Sequence, residues 1–456
     1  MREHSEIKRL SYLKSGLIFL LVSAIMILEG WSISQVSYIP VPILIAMIGF
    51  LVLVRWPGIA MTVIYPLAWV FWTYQIPGFG GIERAIAYIG IIGIFAGLQH
   101  FGTSYRLPSI WIGIGVFMSV LGYLIAWALN PGGSASELIS LILHLGFLYL
   151  AYFHIRTRSQ LNLAGWLFIV SSLFACTITL IANITLGLGF YRLFGGDQAL
   201  IQRFGVLSNP ALASTFVGAP AVLFFTTYKK MQGKFKQILI PLVSLYMFWM
   251  AFISQYRREL LITILLVLLT LVIDRRAGLR RPAWILLITS ALVFGALLLP
   301  SSSVLLQRLN NETSSVVQGS ETRIVNFRAG MIAFLQNPLG YGPGMYESVA
   351  YNILGQGYYS WEYHSYNVFI AVAVDGGVIA LAGIIILFVS IFIQSLQENG
   401  QPNSPESWIL RSSPAILLVV FIWFTFGNAV DVGLPWYLMG LILSAVRLAK
   451  ETSQSI

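Results

Sequence analysis

Long apolar runs recur along almost the whole chain, separated by short polar connections and by one long polar stretch from Pro300 to Tyr363. Runs such as Leu260 to Ile273 and Ile379 to Ile393 are apolar all round, which suits a lipid environment better than the surface of a soluble protein. The pattern predicts spanning helices near 15–32, 38–54, 58–76, 85–101, 108–129, 137–155, 162–188, 210–228, 237–255, 259–273 and 283–299, then 366–393, 411–427 and 433–448. Several are shorter than the roughly 20 residues that cross a bilayer. The expected architecture is therefore an all-α polytopic transmembrane bundle of about 12–14 spans, with one long extracytoplasmic loop containing short helices. Prolines 40, 42, 57 and 66 make the second and third segments the hardest to delimit. No cleavage pattern follows the first segment, so it is expected to remain as a helix. The chain divides into N-terminal transmembrane helices (1–299), the loop (300–363) and C-terminal transmembrane helices (364–456), all within one integral membrane domain.

Inside the loop, Ser320 can cap a helix whose apolar stripe is Phe327, Met331, Phe334 and Leu335 and which Pro338 stops. Such a helix would lie along the membrane surface and present Arg323 from its first turn. Glycines 340, 342 and 344 then alternate, which permits a tight backbone path.

Composition agrees with the pattern: 57% of residues are hydrophobic and only 10% charged, against about a quarter charged in soluble domains. A net charge of +10 would admit a nucleic-acid partner, but the placement of the charges argues for membrane lipids and against nucleic acid. Cys176, the single cysteine, sits in an apolar run and reads as a small core residue. With the N-terminus cytoplasmic, the basic head, the even connections and the C-terminus hold Arg55, Arg106, Arg156, Arg158, Lys229, Lys230, Lys234, Lys236, Arg275, Arg276, Arg280, Arg281, Arg411, Arg447 and Lys450, as the positive-inside rule asks. The outward side keeps Arg84, Arg192, Arg203, Arg257, Arg258, Arg308, Arg323 and Arg328, and no lysine. A guanidinium bonds two phosphate oxygens at once and never loses its charge, so an outer site for a phosphorylated ligand is expected.

Four places carry that expectation. Arg203 precedes a helix start at which Ser208 or Asn209 caps and Pro210 suits the first turn, so a cation and a positive helix terminus coincide. Arg257 and Arg258 share a tight turn with Glu259 alone to neutralise one of them. Arg323 and Arg328 belong to the loop helix. His364, after Tyr363 and before Asn367, is the histidine at the outer edge, where an imidazole can take a proton from a sugar hydroxyl near neutral pH.

These motifs resemble the O-antigen ligase and polymerase superfamily. The matching pieces are Arg203-Phe204-Gly205 with Asn209-Pro210, Tyr256-Arg257-Arg258, Arg323 four residues before Phe327 with Pro338, Gly340 and Gly342 after it, and His364 to Asn367 leading to Asp375-Gly376-Gly377. The resemblance spans about 200–380. It implies a GT-C-like, metal-independent inverting glycosyltransferase of the bacterial cytoplasmic (inner) membrane, without cofactor, whose site faces the periplasm. Arg203, Arg257 or Arg258, and Arg323 would bind the pyrophosphate of an undecaprenyl-pyrophosphate-linked oligosaccharide, with His364 as base and Asn209, Arg328, Tyr363 and Asn367 in support. The acceptor would be a glycan or glycolipid, and a chain-length regulator protein a further partner. Polymerase is favoured over a ligase that would transfer the chain to a lipid A core, because nothing in the loop marks a second anionic acceptor. The sequence departs from the family at Tyr256 (usually serine), Phe327 (usually tryptophan) and Asp375 (more often glutamate). Asp375 lies deep in its segment, where a helix-packing or polar-network role is expected of it rather than catalysis. A metal-dependent relative would look to Glu29, which stands without a partner acid, and a lipid-linked sugar flippase would need coupled midplane charges and repeats that the chain does not display.

Overall fold

The computed structural model describes residues 57–68, 75–76, 80–81, 108–185, 219–226, 239, 242–244, 246–247, 324–354, 367–398, 407–426 and 433–453. The chain divides after Pro57, and every other described residue belongs to the unit Gly58–Ile456. Its helices are α1 (Ile110–Leu129), α2 (Ala135–His154), α3 (Arg158–Thr185), α4 (Ala219–Thr226), α5 (Ile324–Gln336), α6 (Tyr346–Leu354), α7 (Val368–Gln397), α8 (Ser407–Phe426) and α9 (Gly433–Ser453). Among the described residues α1, α2, α7 and α8 are long and apolar enough to cross a membrane. The protein is an all-α polytopic helical protein, as the apolar runs require.

The third predicted segment differs from its expectation of a continuous helix over 58–76. Pro57–Ile59, a π-turn at Ala60–Ile64 and Tyr65–Ala68 are helical, but Gln75–Ile76 is extended and pairs antiparallel with Gly80–Gly81. The glycine pair and Pro77 that follow in the sequence favour a hairpin over a longer helix. Helix α3 starts four residues before its predicted position because Thr157 and Gln160 form a reciprocal cap. The Gln160 amide donates to Thr157 Oγ1 (3.2 Å) and the Thr157 amide to Gln160 Oε1 (3.1 Å).

Two helix pairs are drawn close by small residues, as packing within lipid demands. In the first, Gly115, Ser119 and Gly122 of α1 face Gly376, Ala380 and Gly383 of α7, and a Cβ added at any of these four glycines would come within 3 Å of a neighbouring atom. In the second, Gly440 of α9 lies on Leu148 and Ala151 of α2, and Ser444 Oγ donates to the Ala151 carbonyl (3.2 Å). Helix α3 is tied to α8 where Trp408 Nε1 donates to Asn162 Oδ1 (2.7 Å). An aromatic cluster of Phe369, Phe388, Phe421, Phe424 and Trp436 fills the space between α7, α8 and α9.

The ends of these helices sort by charge. At one end Arg447 Nη2 donates to the Ile155 carbonyl (2.6 Å), its guanidinium lies over the Tyr152 ring, and Lys450 pairs with Glu398 (3.9 Å). At the other end the α1–α2 turn meets the segment joining α5 to α6, where the Ser134 amide donates to the Pro343 carbonyl (2.8 Å). The counting of spans puts Arg156, Arg158, Arg447 and Lys450 together on one side, and both the α1–α2 turn and the long loop on the other. The contacts have that arrangement.

Candidate active site

Helix α7 is broken. Gly377 has φ 71° and ψ −173°, a conformation that essentially only glycine adopts, and it ends a half-helix over 368–376. The break removes the bond that the Val378 amide would have made to the Val374 carbonyl, and within a membrane protein such groups must find other partners. The segment between α5 and α6 supplies them. The Val378 amide donates to the Pro338 carbonyl (2.8 Å), the Val374 carbonyl accepts from the Tyr341 amide (2.8 Å) and the Asp375 carbonyl from the Gly342 amide (2.9 Å). Residues 338–346 thus form a strap across the break. The strap approaches so closely that a Cβ on Gly377 would lie 2.5 Å from the Leu339 carbonyl carbon and oxygen. Gly340, with φ 92°, comes within 3 Å of Gly377 and Asp375 by the same measure, and its carbonyl accepts from both Asn130 Nδ2 (3.0 Å) and Asn337 Nδ2 (2.7 Å).

Asp375 is 8% exposed and has the polar-network role expected of it. Its Oδ1 accepts from the Tyr346 amide (2.8 Å) and its Oδ2 from the Gly344 amide (3.2 Å). A carboxylate is thereby seated at the N-terminus of α6, where exposed amides and the helix dipole favour negative charge. Tyr346 continues the connection: its hydroxyl donates to the Asn326 carbonyl of α5 (2.7 Å). Burial, and the Asp375 carboxylate beside it, push the Tyr346 hydroxyl well above the usual tyrosine range, so it stays a proton donor at any physiological pH.

The buried side of α5 differs from the predicted stripe. Asn326, Ala329, Gly330 and Ala333 face the protein, forming one core with Tyr346, Val349, Ala350 and Val374. Gly330 admits Ile370 of α7 and the Tyr346 ring, for which a larger residue would leave no room. Phe334 is half-buried against that core, whereas Phe327 is exposed and Leu335 is 70% exposed. Small residues win the protein-facing side because the backbone of α5 approaches its neighbours closely, and the larger apolar residues are displaced outward. Pro338 follows two residues after the helix end, as expected.

Of the predicted site residues, Arg328 is exposed on α5 and Asn367 caps α7, its Oδ1 accepting from the Ile370 amide (3.1 Å). Their helices are packed together through Gly330 and Ile370. His364, Arg203, Arg257, Arg258, Arg323, Asn209 and Tyr363 lie outside the described residues, as do Glu29 and Ser320. In sequence, Arg323 immediately precedes α5 and His364 stands three positions before Asn367. The sequence reading missed Tyr346, Asn326 and Asn130. A signal existed for Asn130, which opens an Asn-Pro-Gly-Gly turn between two apolar runs; Asn326 takes part through its backbone carbonyl, which no side-chain pattern marks.

A helical membrane protein in which a pair of short helices is strapped onto a broken span is the class that fold and site define. Residues 242–385 match the family model described as O-antigen ligase, so this stretch of the chain is similar to the O-antigen ligase and polymerase superfamily. The match takes in Arg257, Arg258, Arg323, Arg328 and His364, together with the strap and the break in α7; Arg203 and Asn209 precede it. No curated relative matches the chain.

Proposed function

We propose that the protein moves a glycan from a polyprenyl (undecaprenyl) pyrophosphate donor to an acceptor sugar hydroxyl at the outer face of the bacterial cytoplasmic membrane, by inversion and without a metal, and that it acts as a surface-polysaccharide polymerase. The acceptor oxygen attacks the anomeric carbon while the bond from that carbon to the diphosphate oxygen breaks. His364 takes the hydroxyl proton, and the departing diphosphate carries away the bonding electrons. Arg203, Arg257 or Arg258, and Arg323 stabilise the charge that gathers on it, an effect worth about 3 kcal/mol per well-placed donor in other enzymes. Arg328, Asn209, Tyr363 and Asn367 support the site. The observation that carries this reading is that one O-antigen ligase match covers both the arginine-bearing loop and His364, while the helices next to them in sequence, α5 and α7, share a core.

The broken span favours a second reading, a carrier of lipid-linked sugars, since discontinuous helices expose backbone groups to cargo in transporters. Against it, the Val374 and Asp375 carbonyls at this break are already taken by strap amides. One experiment separates the readings. Purified protein in detergent receives polyprenyl-pyrophosphate-linked oligosaccharide and a lipid A core acceptor, with EDTA and no gradient. A ladder of longer glycans with released polyprenyl pyrophosphate is the expected outcome. A single length step indicates a ligase, unchanged substrate a carrier, and activity that returns only with manganese the metal-dependent alternative built on Glu29.

A further inference from the structure

We propose that Asp375 is a positioning residue for the transfer reaction, acting through Tyr346 and Asn326 to hold the arginine-bearing helix α5 in register with the half-helix 368–376. The proposal rests on the glycosyltransferase reading above. Pro338, Tyr341 and Gly342, in the first part of the strap, make backbone bonds with Val378, Val374 and Asp375 at the break in α7, and none of these bonds uses the Asp375 side chain. What the carboxylate adds is a hold on the next turn, the amides of Gly344 and Tyr346 at the start of α6. Both bonds are held away from water, where a hydrogen bond is electrostatically stronger than in solvent.

From there the connection runs outward. The Tyr346 hydroxyl donates to the Asn326 carbonyl, two residues before Arg328 on the same helix and three after Arg323 in the chain. Besides that bond, α5 packs through Ala329, Gly330, Ala333 and the half-buried Phe334, with Ile370 and the Tyr346 ring against Gly330, apolar contacts that carry no bond direction of their own. The polar path from Asp375 adds a directional hold on the rotation of α5, and with it on the direction of Arg328. A misplacement of about 1 Å between reacting groups can cost on the order of a hundredfold in rate, so such a hold bears directly on transfer.

The test measures donor KM and kcat with polyprenyl-pyrophosphate-linked oligosaccharide for wild type, Asp375→Asn and Tyr346→Phe, beside hydrogen exchange on the same preparations. Asp375→Asn is expected to lower kcat/KM at least tenfold and to raise donor KM at least threefold. Tyr346→Phe keeps the ring and loses the bond to Asn326, so it retains the fold and shifts both constants the same way, by about fivefold in kcat/KM. Exchange should rise over 341–350 and through α5 in Asp375→Asn, with α1 and α2 as protected as in wild type. A lower kcat at unchanged KM is what a smaller folded fraction produces, and it overturns the proposal. Wild-type kinetics in either variant, or protection lost throughout α1 and α2, overturns it too. Should wild type transfer nothing, the glycosyltransferase reading fails instead, and exchange in α5 of Asp375→Asn still reports whether the hold exists.

Discussion

At the scale of single residues, what was legible in the sequence is what acts locally. Asn367 caps α7 through the Ile370 amide, Cys176 is buried, and Pro338 stands just past the end of α5, each following from chemistry within a few positions. Tyr346 was not legible, because its partners Asp375 and Asn326 lie 29 and 20 positions away. The proposed catalytic roles make predictions at this scale. His364→Ala should lower kcat by a factor on the order of a hundred or more while donor affinity stays within about threefold, as removal of a general base does; single-turnover transfer and equilibrium donor binding check the two halves. Arg323→Lys should lower kcat/KM at least tenfold, since an ammonium cannot reproduce the two-pronged contact of a guanidinium. Kinetics like wild type would count against bidentate gripping.

At the scale of elements, the apolar runs mark helices well and their interruptions poorly. Val368–Gln397 reads as one helix from hydropathy, yet Gly377 divides it, since a glycine between apolar neighbours leaves the run's hydrophobicity intact. The strap and the break have to be considered together: positive φ at Gly340, Gly342 and Gly344 and the interruption at Gly377 serve one set of backbone bonds. Gly377→Ala should therefore be destabilising by roughly 3 kcal/mol or more, from the left-handed backbone together with the collision with Leu339. Thermal unfolding and exchange over 338–346 provide the check, and a variant as stable as wild type would mean that the strap does not cross the break. The exposed stripe on α5 teaches a related lesson. Periodicity finds an amphipathic helix, but a neighbour's backbone decides which of its sides is buried.

At the scale of the whole molecule, the separation of charge between helix ends matches the span count. The α1–α2 turn and the strap meet at one end, and Arg447 and Lys450 meet the α2–α3 turn and Glu398 at the other. Cysteines in place of Pro131, exposed in the α1–α2 turn, and Glu451, exposed near the end of α9, test the direction. A membrane-impermeant maleimide should label Pro131→Cys in intact spheroplasts and Glu451→Cys only after permeabilisation, with buried Cys176 silent in both. Labelling of both positions from one side would remove the outward-facing loop on which the proposed chemistry depends.

Hydropathy, charge asymmetry and short motifs, read from the sequence by themselves, determined a polytopic helical protein, the family it resembles over part of its length and the sidedness expected of its connections. Those properties depend on lipid solvation and on spacing along the chain, which a linear pattern carries. Tertiary structure alone decided that the last glycine of Asp375-Gly376-Gly377 breaks a span, that the loop's alternating glycines close over it, and that a buried carboxylate reaches the arginine helix through one tyrosine. Each of these joins groups far apart in sequence, and only the folded backbone brings their donors and acceptors within hydrogen-bonding distance.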